Sequence, residues 1–207
     1  DSVLAQEVQP LEVVVVDDGS TDRTAEIVKN YPAPVRYLYQ DNAGSSAARN
    51  FAIDHSSGNW IAFLDADDTW RSNKLRLQFE LVEKHPQLRW LSGNYEKVYP
   101  GLNTGMPPTP RIEELVNNVI VEDGLEAKGS RWSIWTGTVM VRKDVFETVG
   151  NFDVGQRTSH DLDLWIRIAI AYPQMGWTHE PVAEYHIENP SGLTITSMSS
   201  QDETLIN

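Results

Sequence analysis

Residues 60–70 read WIAFLDADDTW, an apolar run that leads directly into three carboxylates, Asp65, Asp67 and Asp68. Two unit charges about 4 Å apart repel by roughly 4 kcal/mol at an effective dielectric constant of 20. Protonation, a basic neighbour or a bound cation can offset that repulsion. The nearest basic side chains in the sequence are those of Arg71, Lys74 and Arg76. Two interpretations stay open: a solvated turn with helix-capping aspartates, or a Mg²⁺ or Mn²⁺ site completed by a diphosphate.

Strands and helices are predicted to alternate from residue 12 to residue 95. The predicted strands are 12–16, 35–40, 60–64 and 88–95. Apolar residues at helical spacing predict helices after the turns at 17–22, 41–44 and 65–72. The alternation predicts an α/β sandwich with a largely parallel sheet. Ligands of such sheets bind beyond the carboxyl ends of the strands, so Asp17–Asp18 and Asp65–Asp68 should converge at one edge.

The second half of the chain is less regular. It predicts a loop at 99–110, helices at 111–120, 144–150 and 160–173, and strands at 133–143 and 182–187. The inward residues expected in the helix from residue 160 are Leu162, Trp165, Ile166, Ala169 and Ile170. We expect one catalytic domain at 1–190, with a nucleotide-binding half (1–95) and an acceptor half (96–190), then a polar extension at 191–207.

Composition narrows the class of protein. With 207 residues, of which 40% are hydrophobic, the chain can build a core. A net charge of −13 argues against nucleic acid as a partner. The absence of cysteine excludes disulfides and thiolate metal sites, and no apolar run approaches the ~20 residues that span a bilayer. We expect a cytoplasmic protein, with peripheral association at the inner face of the membrane left open.

Four motifs together resemble the inverting family 2 glycosyltransferases of the GT-A fold. They are VVVVDDGSTDRT (13–24), QDNAGSSAARNFAI (40–53), GNWIAFLDADDTW (58–70) and HDLDLWIRIA (160–169). Their order and spacing resemble the family across residues 3–187. The resemblance implies a Rossmann-like three-layer sandwich with a mixed, mostly parallel central sheet.

The resemblance also implies roles for individual residues. Asp18 would accept a hydrogen bond from the nucleobase, and Arg49 would lie near the base and diphosphate. Asp65 and Asp67 would form the D-x-D motif, with Asp65 facing the ribose and Asp67 binding the metal, Asp65 being a second candidate ligand. Asp161 would be the catalytic base.

Further positions follow from the same resemblance. Trp135, Thr136 and Gly137 fall where acceptors approach, and Asp68 is either a ligand or a cap. His160 stands where the family usually has Glu, so it would form weaker hydrogen bonds or respond to pH near neutrality. His186 is offset by two positions from the family's histidine, so a packed or surface histidine is the favoured interpretation.

The family's first strand and a P-x-Y-N-type segment have no match in this sequence, which resembles the family from the end of the first helix. Because residue 1 is not Met, we expect the sequence to start inside a longer protein. We also expect the sheet to lack one central strand and the nucleobase pocket to lack a wall.

The sequence therefore predicts an enzyme that moves a sugar from a UDP-sugar, with Mg²⁺ or Mn²⁺, to a hydroxyl on a glycan, lipid-linked or protein acceptor. Glycan or cell-surface polysaccharide synthesis is the expected setting. Two alternatives stay open. One is a catalytically impaired nucleotide-sugar or glycan-binding module, and the other is a sugar nucleotidyltransferase, although the phosphate loop that such an enzyme needs is not visible.

Overall fold

The computed structural model describes most of the chain, namely residues 1–99, 102–106, 116–117, 119–124, 134–156 and 158–187. The strands are β1 Val13–Asp18, β2 Val35–Gln40, β3 Trp60–Ala62, β4 Thr69–Trp70, β5 Trp90–Tyr99, β6 Leu102–Met106, β7 Val116–Asn117, β8 Ile120–Val121, β9 Met140–Arg142 and β10 Met175–His186. The helices are α1 Thr24–Lys29, α2 Ser45–His55, α3 Lys74–Lys84, α4 Val145–Val149 and α5 His160–Ala171. A 3₁₀ turn spans Thr136–Thr138.

The main sheet is mixed, as predicted. Its strand order is β3-β9-β5-β10-β8-β7, with β4 paired to β10 and β6 paired to β5. The long strands β5 and β10 run parallel through its centre, from Gly176 opposite Leu91 to His186 opposite Val98. The other described pairs in this sheet are antiparallel.

The parallel share of the sheet is smaller than predicted because β1 and β3 are not paired. β1 and β2 form a parallel two-stranded sheet of their own, with Val13 opposite Val35 and Asp18 opposite Gln40. The valines of β1, predicted to be fully buried, are consequently only half-buried.

Predictions for the middle of the chain need correction. The expected helix at 111–120 is wrong where it can be checked, because Val116–Asn117 and Ile120–Val121 pair as short antiparallel strands. The expected loop at 99–110 contains β6. The expected strand at 133–143 is reduced to β9, since the chain turns at Thr136–Thr138 around Gly137. Residues 107–115 and the polar extension at 191–207 lie outside the described residues.

The core lies between the main sheet and α4 and α5. Its aromatic centre is Phe63, Phe152 and Trp165, whose rings pack with centroids 5.5 to 5.9 Å apart. Edge-to-face and tilted pairs at such distances stabilise a core beyond the area that they bury. Phe152 also carries the Arg49 guanidinium 5.5 Å above its ring, so the core extends to the carboxyl end of β3.

Helix α5 presents a different face to the core than the sequence predicted. Leu164 and Ile168 are buried along with Trp165 and Ala169, whereas Leu162 and Ile170 are exposed. The buried stripe of α5 is rotated by about one position relative to the prediction. Asp161 and Asp163 both lie in the first turn, and burial of their charged carboxylates would be costly.

No helix within the described ranges is long and apolar enough to cross a membrane.

The two isoleucines of α5 test this packing. Ile168 is 0% exposed and Ile170 is 67% exposed. We expect Ile168→Ala to lower the free energy of unfolding by about 2–5 kcal/mol because it leaves a cavity in the core. Ile170→Ala, the matched control two residues away, should change it by less than about 0.5 kcal/mol. Urea denaturation measures both, and equal effects would contradict the described face.

Candidate active site

Arg49 links two acidic segments that are far apart in the sequence. From α2, its guanidinium donates to Asp65 Oδ1 at 2.5 Å and to His160 Nε2 at 2.9 Å. Asp65 follows β3 and His160 begins α5. The Arg49 side chain is mostly buried, which strengthens its interaction with Asp65 relative to a surface pair. The carboxyl end of β3 and the start of α5 therefore meet through one arginine.

His160 is neutral in this arrangement. Arginine has no acceptor, so Nε2 must accept the Arg49 hydrogen bond and the ring proton must lie on Nδ1. Burial first, and then the positive charge of Arg49, lower the pKa of His160, although Asp161 and Asp65 act in the opposite direction. Nδ1 is buried and no partner for it occurs among the residues that the structure describes.

Asp161 lies in the first turn of α5, directly after His160. Its Oδ1 accepts the backbone N–H of Leu162 at 2.8 Å, and its Oδ2 accepts the Thr136 hydroxyl at 3.3 Å. A carboxylate accepts about four hydrogen bonds, so both oxygens keep free acceptor capacity. Asp161 can therefore take a proton while its orientation is held from two sides.

Asp18 holds the loop between β2 and α2. Its carboxylate accepts N–H groups of Ala43 and Gly44, each at 2.8 Å, and the side-chain amide of Gln40 at 2.7 Å. Burial alone would raise the pKa of Asp18, but the three donors outweigh it and hold the pKa below its ordinary value. One acceptor position of about four remains open, so Asp18 keeps room for a ligand donor.

Asp67 and Asp68 differ although they are adjacent. Asp67 is exposed, and no side chain in the described part of the chain pairs with its carboxylate. Asp68 is buried and accepts the backbone N–H of His186 at 2.9 Å. Burial, with smaller contributions from Asp67 and Asp65, raises the pKa of Asp68 to about 7. The contact that the structure shows for the Asp68 carboxylate is with the backbone at the end of β10.

The donor set for a cation is small. Among the described residues, no group of three or more His, Cys, Asp or Glu side chains is arranged to hold a metal ion. Asp65 is engaged by Arg49, and Asp67 is free. Mg²⁺ is usually bound by one or two carboxylates together with substrate phosphates and water, and these two residues fit that pattern.

The basic side chains nearest in the sequence do not neutralise the carboxylates of Asp65–Asp68. Arg71 pairs with Glu96 and Glu184, and Arg76 pairs with Glu7 and Glu80. Lys74 is buried inside the protein. Arg49, which the sequence assigned to the ligand, is the residue that pairs with Asp65.

Trp135 and Gly137 flank the contact with Asp161. The Trp135 ring lies over Gly137, where an added Cβ would meet ring carbons at 2.4 Å. The ring also packs against Tyr95 and Tyr185 at 4.9 and 5.3 Å between centroids. Trp135 is half-buried and Gly137 is buried, so a sugar could stack only on the part of the ring that stays accessible. His186 lies half-buried at the end of β10.

Thr136 falls with Trp135 and Gly137 where acceptors approach, but nothing in the sequence indicated that its hydroxyl contacts Asp161. Lys74 and Gln78 were also missed as buried residues. Each lies one position before an apolar residue of this helix, Leu75 or Phe79, and their spacing of four puts both on one helix face.

Comparisons with known proteins identify the family of this chain. The family model "Glycosyl transferase family 2" matches residues 1–149. The chain is 30% identical to TuaG of Bacillus subtilis, a glycosyltransferase named for teichuronic acid biosynthesis, over 92% of this chain and 73% of TuaG. It is 26% identical to an uncharacterized glycosyltransferase of Rickettsia typhi over 98% of this chain and 63% of the relative.

Solved structures show the same fold. The crystal structure of Staphylococcus aureus TarS 1-349 in complex with UDP-GlcNAc superposes with a TM-score of 0.74 at 20% identity, covering 95% of this chain and 55% of that chain. The complex of TarS 1-349 with UDP gives a TM-score of 0.71 at 19% identity. The chain spans about half the length of TarS 1-349 and 63% of the Rickettsia typhi relative.

The neutral state of His160 predicts a pH dependence. A group whose pKa is lower in the folded than in the unfolded state is stabilising above its unfolded pKa, and that contribution is lost as the pH falls. His160→Gln keeps an acceptor for Arg49 but does not titrate. We expect the unmodified protein to lose more stability than H160Q between about pH 7.5 and about pH 5.5.

Denaturant midpoints at both pH values measure the difference. The control is His55→Gln, at the exposed end of the helix that carries Arg49. Its pH dependence should follow that of the unmodified protein. Identical pH dependence in H160Q and the unmodified protein would contradict the assignment of a neutral, acceptor His160.

Proposed function

Because this chain belongs to glycosyl transferase family 2, we propose that it transfers a sugar from a UDP-sugar to a hydroxyl acceptor with inversion at the anomeric carbon. The observation that carries the proposal is the meeting of the β3 acidic segment and the α5 acidic segment around Arg49 and His160. This arrangement supports a donor-side cluster beside a separate carboxylate, that of Asp161, which would act as a base.

The donor side consists of Asp18, Arg49, Asp65 and Asp67. Asp18 would accept from the nucleobase, and Asp65 would face the ribose. The guanidinium of Arg49, held between Asp65 and His160, would contribute positive charge to the diphosphate. Asp67 and Asp65 would hold Mg²⁺ or Mn²⁺, which when bound stabilises the negative charge of the leaving diphosphate. That TarS structures contain UDP and UDP-GlcNAc supports a uridine-linked donor.

The reaction is a single in-line displacement. The acceptor oxygen attacks the anomeric carbon, and the bond between that carbon and the diphosphate oxygen breaks with its electron pair on the phosphate. The acceptor proton passes to the carboxylate of Asp161. A positioned base of this kind contributes roughly 10²–10⁴-fold to the rate. Trp135 and Gly137 would form the approach of the acceptor, on the same turn as Thr136.

The kinship with TuaG supports a polymer of the cell surface as the setting of the reaction. We propose a glycan, lipid-linked or protein hydroxyl as the acceptor. We also propose a cytoplasmic location, where UDP-sugars would be available.

Binding of the donor nucleotide is the first test. We expect UDP with Mn²⁺ to raise the melting temperature and UDP alone to do so weakly. At a UDP concentration 100 times its Kd the gain is about 2.7 kcal/mol, or roughly 5–10 °C for a domain of this size. Differential scanning fluorimetry measures it. Asp67→Asn should abolish the dependence on Mn²⁺, while Asp54→Asn, an exposed aspartate of α2, should keep it.

A melting temperature that responds equally to UDP with and without Mn²⁺ would remove the metal from the proposal. Binding of UDP with Mn²⁺ but no transfer from any nucleotide-sugar would instead identify a binding module.

The catalytic base is the second test. We expect Asp161→Asn to lower kcat by about 10²–10⁴-fold and to leave the Kd of UDP unchanged within about twofold, because the donor contacts are elsewhere. The control is Asp163→Asn, two positions along, whose carboxylate pairs with Arg167 at 2.7 Å. D163N removes a carboxylate from the same helix turn but not the one that contacts Thr136. Retained turnover in D161N, or loss of UDP binding, would exclude Asp161 as the base.

A further inference from the structure

Lys74 is a buried amine that pairs with no carboxylate within the described part of the chain. It is 0% exposed at the start of α3. Its Nζ donates to Gln78 Oε1 at 2.5 Å and to the Thr138 carbonyl at 3.3 Å, and it lies 4.6 Å from the centroid of the Trp70 ring. Burial lowers the pKa of Lys74 to about 7. An ammonium buried among neutral acceptors is costly, so a core leucine or methionine would serve packing better.

The partners of Lys74 converge on one backbone segment, which we call the Thr136 turn and define as Trp135–Thr138. The Thr138 carbonyl accepts from both Lys74 and the Gln78 side-chain amide, the latter at 2.8 Å. The Gly137 carbonyl accepts from Trp70 Nε1 at 2.9 Å. Two successive carbonyls of the turn are thus held by side chains of β4 and α3.

A third anchor closes the turn from the side of β5. The Thr138 hydroxyl lies 2.8 Å from the Ser92 hydroxyl and donates to the Trp135 carbonyl at 2.8 Å. Ser92 and Thr138 are both fully buried. Since buried polar networks of this kind admit few alternative arrangements, the turn is rigid only while all its donors are in place.

The outer side of the turn faces the site. Thr136 contacts Asp161 Oδ2 at 3.3 Å, and Trp135 packs against Tyr95 and Tyr185. A shift of the turn would therefore move the contact that orients Asp161. Misplacement of a reacting group by about 1 Å can cost up to about 10²-fold in rate.

We propose that Lys74 is a positioning residue for the transfer reaction, which acts through the Thr136 turn on the orientation of Asp161. This inference rests on the proposed function. It assigns a role in the reaction to a residue that touches neither donor nor acceptor. Lysine suits the place because it reaches two acceptors, Gln78 Oε1 and the Thr138 carbonyl, from a straight chain that also packs on Trp70.

The test compares Lys74→Met with Lys84→Met in the full chain. Methionine keeps the length of the side chain and removes its donors, and Lys84 is an exposed lysine at the end of the same helix. We expect K74M to lower kcat by about 10-fold to 10²-fold, with the KM for the nucleotide-sugar unchanged within about twofold. K84M should leave both constants unchanged. An equal loss in KM and kcat, or no loss in kcat, would overturn the proposal.

A double-mutant cycle with Thr136→Val tests whether the effect of Lys74 on kcat passes through Thr136 or comes from a general loss of packing. If Lys74 acts through Thr136, the double variant K74M/T136V should be no slower than the slower single variant. Multiplicative losses in kcat would show that the two residues act independently and would overturn the proposal. If K74M does not fold, Gln78→Met replaces it in the cycle, because it removes the second donor to the Thr138 carbonyl and leaves the lysine in place.

A spectroscopic measurement keeps this inference distinct from the proposed function. The indole N–H resonance of Trp135, assigned with Trp135→Phe, should shift in K74M and stay in place in K84M. If the unmodified protein turns over no nucleotide-sugar, the proposed function fails and this resonance alone decides whether Lys74 positions the turn. An unshifted Trp135 resonance in folded K74M overturns the inference whatever the activity.

Discussion

Like-charge repulsion at the carboxyl end of β3 is the constraint to which the surrounding structure responds. Three aspartates within four positions cannot all stay ionised and unpaired without cost. The structure reduces this repulsion in a different way at each of the three aspartates. Asp65 is paired with Arg49, Asp68 is buried on the backbone of His186 with its pKa raised to about 7, and Asp67 is left in solvent. The unpaired carboxylate is then the one available to a cation.

Arg49, which neutralises the charge of Asp65, also brings distant parts of the chain together at one site. Its second hydrogen bond reaches His160 at the start of α5, and His160 can accept it only while neutral. A glutamate in this place would bind the guanidinium through charge, whereas histidine binds it through a lone pair. Histidine at this position therefore holds the junction without adding a negative charge to it.

Much of this was predictable from local patterns. The bounds of β2, the turn after β1 and the aspartates that follow β1 and β3 all come from short-range signals. The strand pairing was less accessible, because it depends on contacts between segments that are far apart in the sequence, such as β3 with β9. The inward face of α5 was misjudged by about one position, since periodicity alone does not weigh the two carboxylates of its first turn. The role of Lys74 could not be predicted, because a lysine beside acidic residues in sequence is first assumed to pair with them.

The division of the sheet has a consequence for cooperativity. β1 and β2 bury few residues fully, and they reach the rest of the protein through α2, through the Glu12 contact with Ser57 and through the loop that Asp18 holds. Such a unit can open in a local unfolding event that leaves the main sheet intact. Asp18 belongs to this unit, whereas Asp65 and Asp161 belong to the other. A nucleotide that contacted both units would therefore also oppose the local opening of β1 and β2 and couple the unfolding of the two units.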